Sequence, residues 1–143
     1  MIHIIAGGKK QKGEYYWLIE DYQKKCRAPY DFDFTFYEED KLAKLLEKWP
    51  FPEDAFVIIA DERGEELYSP GFAKLLQDEF TASRKVYIVI GGPFGVSSEA
   101  RERANFVWSF SKLVFPHMIA RLIVSEQIYR ANEIARGSGY HHA

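Results

Sequence analysis

The chain has 143 residues, enough for one domain that buries ~two-thirds of its unfolded surface. Its 47% hydrophobic and 16% aromatic content suits a packed core and excludes a disordered chain. With 19 Lys and Arg against 21 Asp and Glu, the net charge is −2, so contact with nucleic acid must come from a local basic patch rather than the whole-molecule field.

A lone cysteine, Cys26, excludes an internal disulfide framework and fits a reducing compartment. No apolar run approaches the ~18 residues of a membrane span. The first residues lack the basic flank and cleavage site of a signal peptide. The expectation is a soluble, cytoplasmic protein.

Taken in order, Ile2–Ala6 is β-branched and apolar and is stopped by Gly7-Gly8, which predicts a buried strand. Lys9, Lys10 and Lys12 follow in a loop, either solvated or in contact with phosphate. From Glu14 to about Cys26, Tyr15, Leu18, Ile19 and Tyr22 recur at helical spacing and are expected to face inward. Phe32, Phe34 and Phe36 alternate with polar residues, the period of a strand. Asp40 can cap a helix to about Lys48 with Leu42, Leu45 and Leu46 buried. Ala55–Ala60 reads as a central strand ended by Asp61-Glu62-Arg63-Gly64, with Asp61 a turn residue.

Ser69-Pro70 reads as N-cap and first helical residue of a helix to about Phe80. Val86–Ile90 is the next buried strand, and it runs into Gly91-Gly92-Pro93-Phe94-Gly95. Ser97 or Ser98 caps a short helix to about Asn105; Trp108–Leu113 reads as a short strand leading into a loop. Pro116 opens a last helix to about Arg136. Alternating strands and helices predict a single α/β domain over residues 1–143, with a mainly parallel sheet and helices on both faces. Met118, Ile119, Leu122, Ile123, Val124, Ile128, Tyr129, Ala131 and Ile134 cover more than one stripe of the last helix, so a second subunit is expected against it.

Four scattered histidines and one cysteine do not make a zinc site, and no metal is expected. The usual phosphate-loop and dinucleotide glycine motifs are absent from the sequence. Gly91-Gly92-x-x-Gly95 is open to two readings: backbone amides brought close to a ligand, or a tight strand-to-helix turn. His117, at the start of a helix, reads as a packing or capping residue. Arg130 lies four residues after Glu126, which accounts for it by a helix ion pair. Arg121 has no acid four residues away on either side, so a ligand role stands beside a structural one. Tyr140-His141-His142 is either a frayed end or a set of chemically capable groups behind a flexible Gly-Ser-Gly, and His is the side chain best poised to take a proton near neutrality.

Five motifs in order and spacing resemble the ribosomal RNA large subunit methyltransferase H family, the small branch of the SPOUT-class RNA methyltransferases. They are Ala60-Asp61-Glu62-Arg63-Gly64, Ile90 to Gly95, Ser109 to His117, Arg121 to Ala131, and Tyr140-His141. The resemblance spans essentially the whole chain and is strongest from residue 86 onward. It implies an α/β knot with a trefoil-knotted C-terminal part, a homodimer, S-adenosylmethionine (S-adenosyl-L-methionine) as cofactor, and methylation of N3 of a pseudouridine in large-subunit ribosomal RNA, free or in the assembled ribosome. Other readings are the same fold acting on another RNA nucleotide, or a non-catalytic RNA- or ribosome-binding module.

Carried over by position, the resemblance places cofactor contacts on Ala60, Gly92, Ser111, Lys112, Leu113, Val114, Phe115 and Pro116. Tyr140 and His141 are the expected catalytic pair, with His141 taking or relaying the imide proton while Tyr140 positions the base. Lys9, Lys10, Lys12, Arg121, Arg130 and His142 are the expected RNA contacts. Gly139 stands where the family has Pro, and His142 where it often has Arg or Lys, so that phosphate contact becomes pH-dependent here.

Overall fold

The computed structural model describes residues 1–142 of the chain; Ala143, the end of the expected tail, lies outside them. Five strands form one sheet: β1 (Ile2–Gly7), β2 (Phe32–Tyr37), β3 (Ala55–Glu66), β4 (Lys85–Ile90) and β5 (Phe106–Ser109). Their spatial order is β2-β1-β4-β3-β5, and every pair is parallel. The helices are α1 (Glu14–Lys25), α2 (Glu39–Lys48), α3 (Ser69–Thr81), α4 (Ser98–Arg103) and α5 (His117–Arg136).

The continuous apolar runs of β1, β3 and β4 arise because both faces are covered. Along β3, Ile58 joins a cluster with Phe72, Leu76, Val124 and Ile128, while Val57 and Ile59 join Leu42, Leu46, Val96 and Ala100 on the opposite side. Helices α1, α3 and α5 therefore lie on one face and α2 and α4 on the other. Ile58 and Ile59 are both fully buried, so neither face of this strand meets water.

Several boundaries differ from the sequence pattern. Strand β3 does not stop at Ala60: it continues to Glu66 through a register shift between Ala60 and Glu65 opposite Trp108. Asp61 is thus a buried residue inside an irregular strand rather than a surface turn residue. Strand β5 is Phe106–Ser109, earlier than the expected 108–113. Trp108 is fixed by stacking on Phe72 at 4.1 Å, and Ser109 Oγ donates to the Ser111 carbonyl, which bends the chain away.

Helix α2 starts after Glu38, not at an Asp40 cap, and Tyr68 rather than Ser69 precedes α3. Ser69 Oγ instead donates to Gln127 Oε1 at 2.7 Å, tying α3 to α5. In α1, Ile19 is buried, but Tyr15, Trp17 and Leu18 are exposed by 45%, 65% and 47%. Helix α5 lies against both α1 and α3 as well as the sheet, and Met118, Ile119, Leu122, Ile123, Tyr129 and Ile134 stay only half-buried on it. Further exposed apolar side chains stand on α1.

Candidate active site

Strands β4, β3 and β5 are neighbours, and Ala60 pairs with both Ile90 and Trp108 at the same level. Their C-terminal ends open side by side, the place where open parallel sheets hold ligands. A cavity of about 620 Å³ lies there, within the size range of small-molecule sites. Its lining comes from residues 60–63 at the register shift of β3, Ile90 and residues 91–95 at the end of β4, Phe110, Ser111 and residues 113–116 after β5, and His117 and Ala120 of α5. Of the eight residues expected around a cofactor, Ala60, Gly92, Ser111, Leu113, Val114, Phe115 and Pro116 line this cavity; Lys112 is exposed and does not.

The glycine loop is a closed turn. Gly95 N–H donates to the Gly92 carbonyl at 2.9 Å, and Gly95 takes φ +75, where a side chain is strained. A Cβ on Gly92 would meet Glu39 Cγ and Cδ at 2.7 Å. The Glu39 carboxylate lies over this glycine because it accepts the Phe94 N–H at 3.3 Å. On the other wall, Ser111 Oγ accepts the Leu113 N–H at 3.0 Å and shapes the turn after β5.

His117 is the titratable imidazole of the lining, and burial, then the nearby Arg121 charge, hold its pKa below the ordinary value, with Glu39 acting weakly the other way. The Gln11 amide lies 3.4 Å from its Nε2, so a neutral imidazole there accepts the Gln11 N–H. Arg121, read from sequence as a possible ligand contact, is 1% exposed. Its guanidinium donates to the carbonyls of Gly7 at 2.7 Å and Lys9 at 3.0 Å and stacks over Phe36 at 4.8 Å. It therefore fastens the end of β1 and the lysine loop to α5 and has no face left for an RNA phosphate. Lys9, Lys10 and Lys12 are exposed on that fastened loop, with Lys10 Nζ over the Tyr16 ring at 4.5 Å.

The tail folds back along the C-terminal half of α5. Tyr140 Oη donates to Glu126 Oε1 at 3.1 Å, Arg130 pairs with Glu126 at 2.7 Å, and Arg130 Nη1 lies 3.0 Å from His141 Nδ1. The Glu126–Arg130 pair expected from spacing is present, but it also anchors Tyr140 and His141. Burial and the Glu126 carboxylate push the Tyr140 phenol above its ordinary pKa, so it is a donor near neutrality. An arginine nitrogen can only donate, so in this contact His141 Nδ1 is the acceptor and the ring N–H is on Nε2. His142 is exposed. Arg130 lies 13 residues along α5 from His117, or roughly 20 Å of helix axis. The tail and the cavity of one chain are thus not brought together.

Comparison with known proteins bears on this site. A family model described as predicted SPOUT methyltransferase matches residues 1–141, through all three cavity loops and most of the tail. The chain belongs to the SPOUT methyltransferase family. Proteins named ribosomal RNA large subunit methyltransferase H are similar to this SPOUT chain over nearly their whole lengths. Those of Desulfitobacterium hafniense strains Y51 and DSM 10664 / DCB-2 are 42% and 44% identical, each match covering 98% of both chains. That of Thioalkalivibrio sulfidiphilus is 37% identical over 98% of this chain and 97% of its own. A solved structure of a probable methylase family protein from Haemophilus influenzae Rd KW20 shares the fold, with a TM-score of 0.59 at 11% identity over 99% of this chain and 70% of that one.

Three contacts that shape this SPOUT site escaped the sequence pattern: Glu39 on the glycine loop, Gln11 on His117, and the Asp61–Arg101 ion pair between the walls. Each acts across a large sequence separation. The one local signal was the charged Asp61 directly following the apolar run 55–60.

Proposed function

We propose that this chain transfers a methyl group from S-adenosylmethionine to N3 of a pseudouridine in large-subunit ribosomal RNA. The observation that carries the proposal is the cavity at three adjacent strands, lined by the register shift of β3 and the loops that follow β4 and β5. The lining fits a cofactor that carries a sulfonium charge. Its one Lys or Arg side chain is Arg63, which is ion-paired with Asp61, and His117 is held neutral. Ala60, Gly92 and the 111–116 loop would hold the cofactor, Lys112 from outside the lining. The trefoil threading of the C-terminal part belongs to the same proposal.

When bound, the cofactor supplies an electrophilic methyl group. The protein then has to hold the base in line with it, exclude water, and remove the imide proton. Tyr140 and His141 are the groups we assign to the base. Because they lie at the far end of α5 from their own cavity, a second copy must present them, and we propose a homodimer in which each tail closes the partner's site. The exposed Tyr15, Trp17 and Leu18 of α1 supply apolar surface for that contact. While bonded to Arg130, His141 offers Nε2–H to the base as a donor; taking the proton requires that Nδ1 leave Arg130. Lys9, Lys10, Lys12, Arg130 and His142 would meet RNA phosphates.

Mass mapping of ribosomal RNA with and without the protein tests the reaction: a methyl group gained on a pseudouridine is expected, and an unchanged map refutes it. Light scattering at micromolar protein should give twice the chain mass; a monomer overturns the shared site. Changing the three lysines to Ala should lower the salt slope of RNA binding by about one unit for each phosphate no longer neutralised.

A further inference from the structure

The glycine loop and the continuation of β3 are opposite walls of the cavity. Ala60 and Ile90 are the last paired residues of β3 and β4, so beyond them no ladder hydrogen bond between these two strands fixes the gap between the walls. A buried ion pair spans it. The Asp61 side chain is 4% exposed, and its Oδ1 accepts the Arg63 backbone N–H at 2.9 Å, which folds residues 61–63 into a fixed kink. Arg63 Nη1 also reaches both carboxylate oxygens at 3.3 Å. From α4, Arg101 Nη1 lies 3.6 Å from Asp61 Oδ2 and donates to the Val96 carbonyl at 2.6 Å. One guanidinium thus holds the end of the glycine loop and the kink of β3 at once.

We propose that Asp61 and Arg101 are a positioning pair that sets the width of the cofactor cavity. The inference rests on the cofactor assignment made above and adds residues to which no role has been given. The donation to the Val96 carbonyl is charge-assisted and directional, and the ion pair with Asp61, shielded from solvent, draws the kink of β3 to the same guanidinium. Without Arg101, Asp61 keeps only Arg63 of its own strand, and without Asp61 the Arg101 side chain, 20% exposed, keeps only the Val96 carbonyl; either change breaks the link between the walls, so the two behave as one unit. Neither residue reacts; both act through the loops they hold.

The test uses Asp61→Asn, Arg101→Gln, the double variant and Arg101→Lys. Titration calorimetry with S-adenosylmethionine should show Kd raised about tenfold or more in each of the first two, and no further in the double variant. The loss should fall on cofactor binding more than on turnover at saturating cofactor, since the base-handling groups are elsewhere. Arg101→Lys keeps the charge and should recover part of the affinity. Hydrogen exchange of the amides of residues 91–96 should quicken in the Asn and Gln variants while β1 and β4 stay protected. Should Asp61→Asn not fold, the two Arg101 variants carry the same comparison. Unchanged Kd and unchanged exchange in residues 91–96 overturn the inference. Wild-type protein that binds no S-adenosylmethionine would overturn the cofactor assignment instead, and loop exchange would still decide whether the pair fixes the walls.

Discussion

Arg121→Met separates a structural role from an RNA-binding one. The guanidinium is 1% exposed and gives two charge-assisted bonds to the Gly7 and Lys9 carbonyls, while its Nε has no partner among the described residues. Burial lowers its pKa from the ordinary value, yet a guanidinium remains charged at neutral pH. Methionine matches its length and lacks all of its donors. The two missing bonds contribute about 1.5–3 kcal/mol each, and both carbonyls are left without their arginine partner. Against this, no carboxylate among the described residues pairs with the cation, and returning it to water in the comparison recovers several kcal/mol. The balance is a net loss of about 1–3 kcal/mol, or a fall in Tm of about 3–10 °C for a chain of this size. Urea unfolding at constant m-value measures it. The RNA affinity and salt slope of the folded variant should match wild type. Unchanged stability together with a salt slope lowered by about one unit would refute the reasoning and restore Arg121 as a phosphate contact.

Three further outcomes are expected. Gly92→Ala should weaken S-adenosylmethionine binding, and adding Glu39→Ala should restore much of it, because the new Cβ meets the Glu39 side chain; calorimetry showing no rescue would place the obstruction elsewhere. The folded-state pKa of His117 lies below 6.5, so the unfolded chain takes up the proton more readily and stability falls as pH drops through 6.5 toward the folded value. His117→Gln should therefore lose less stability than wild type between pH 7.5 and 5.5, and urea midpoints at the two pH values would contradict this if the loss were equal. Deleting residues 140–143 should leave cofactor Kd nearly unchanged and abolish methyl transfer, since the tail lies at the opposite end of α5 from the cavity; parallel loss of both would put the tail in the cofactor pocket.

The sequence by itself determined the alternation of strands and helices, the buried runs at 55–60 and 86–90, and a glycine turn directly after the second of them. These features follow from local periodicity and from the conformational demands of single residues such as Gly95. The same local rules misplaced Tyr15 and Leu18, because the direction in which α1 faces depends on where α5 lies. They could not assign Asp61, Arg121 or Glu39. A charged side chain carries no periodic signal for its partner, and the carbonyl that receives Arg121 is 114 residues away. The tertiary structure alone decided which charges are buried and satisfied, and which remain free to meet a ligand. Coulomb and hydrogen-bond energies depend on distance and local dielectric, which folding sets and chain order does not.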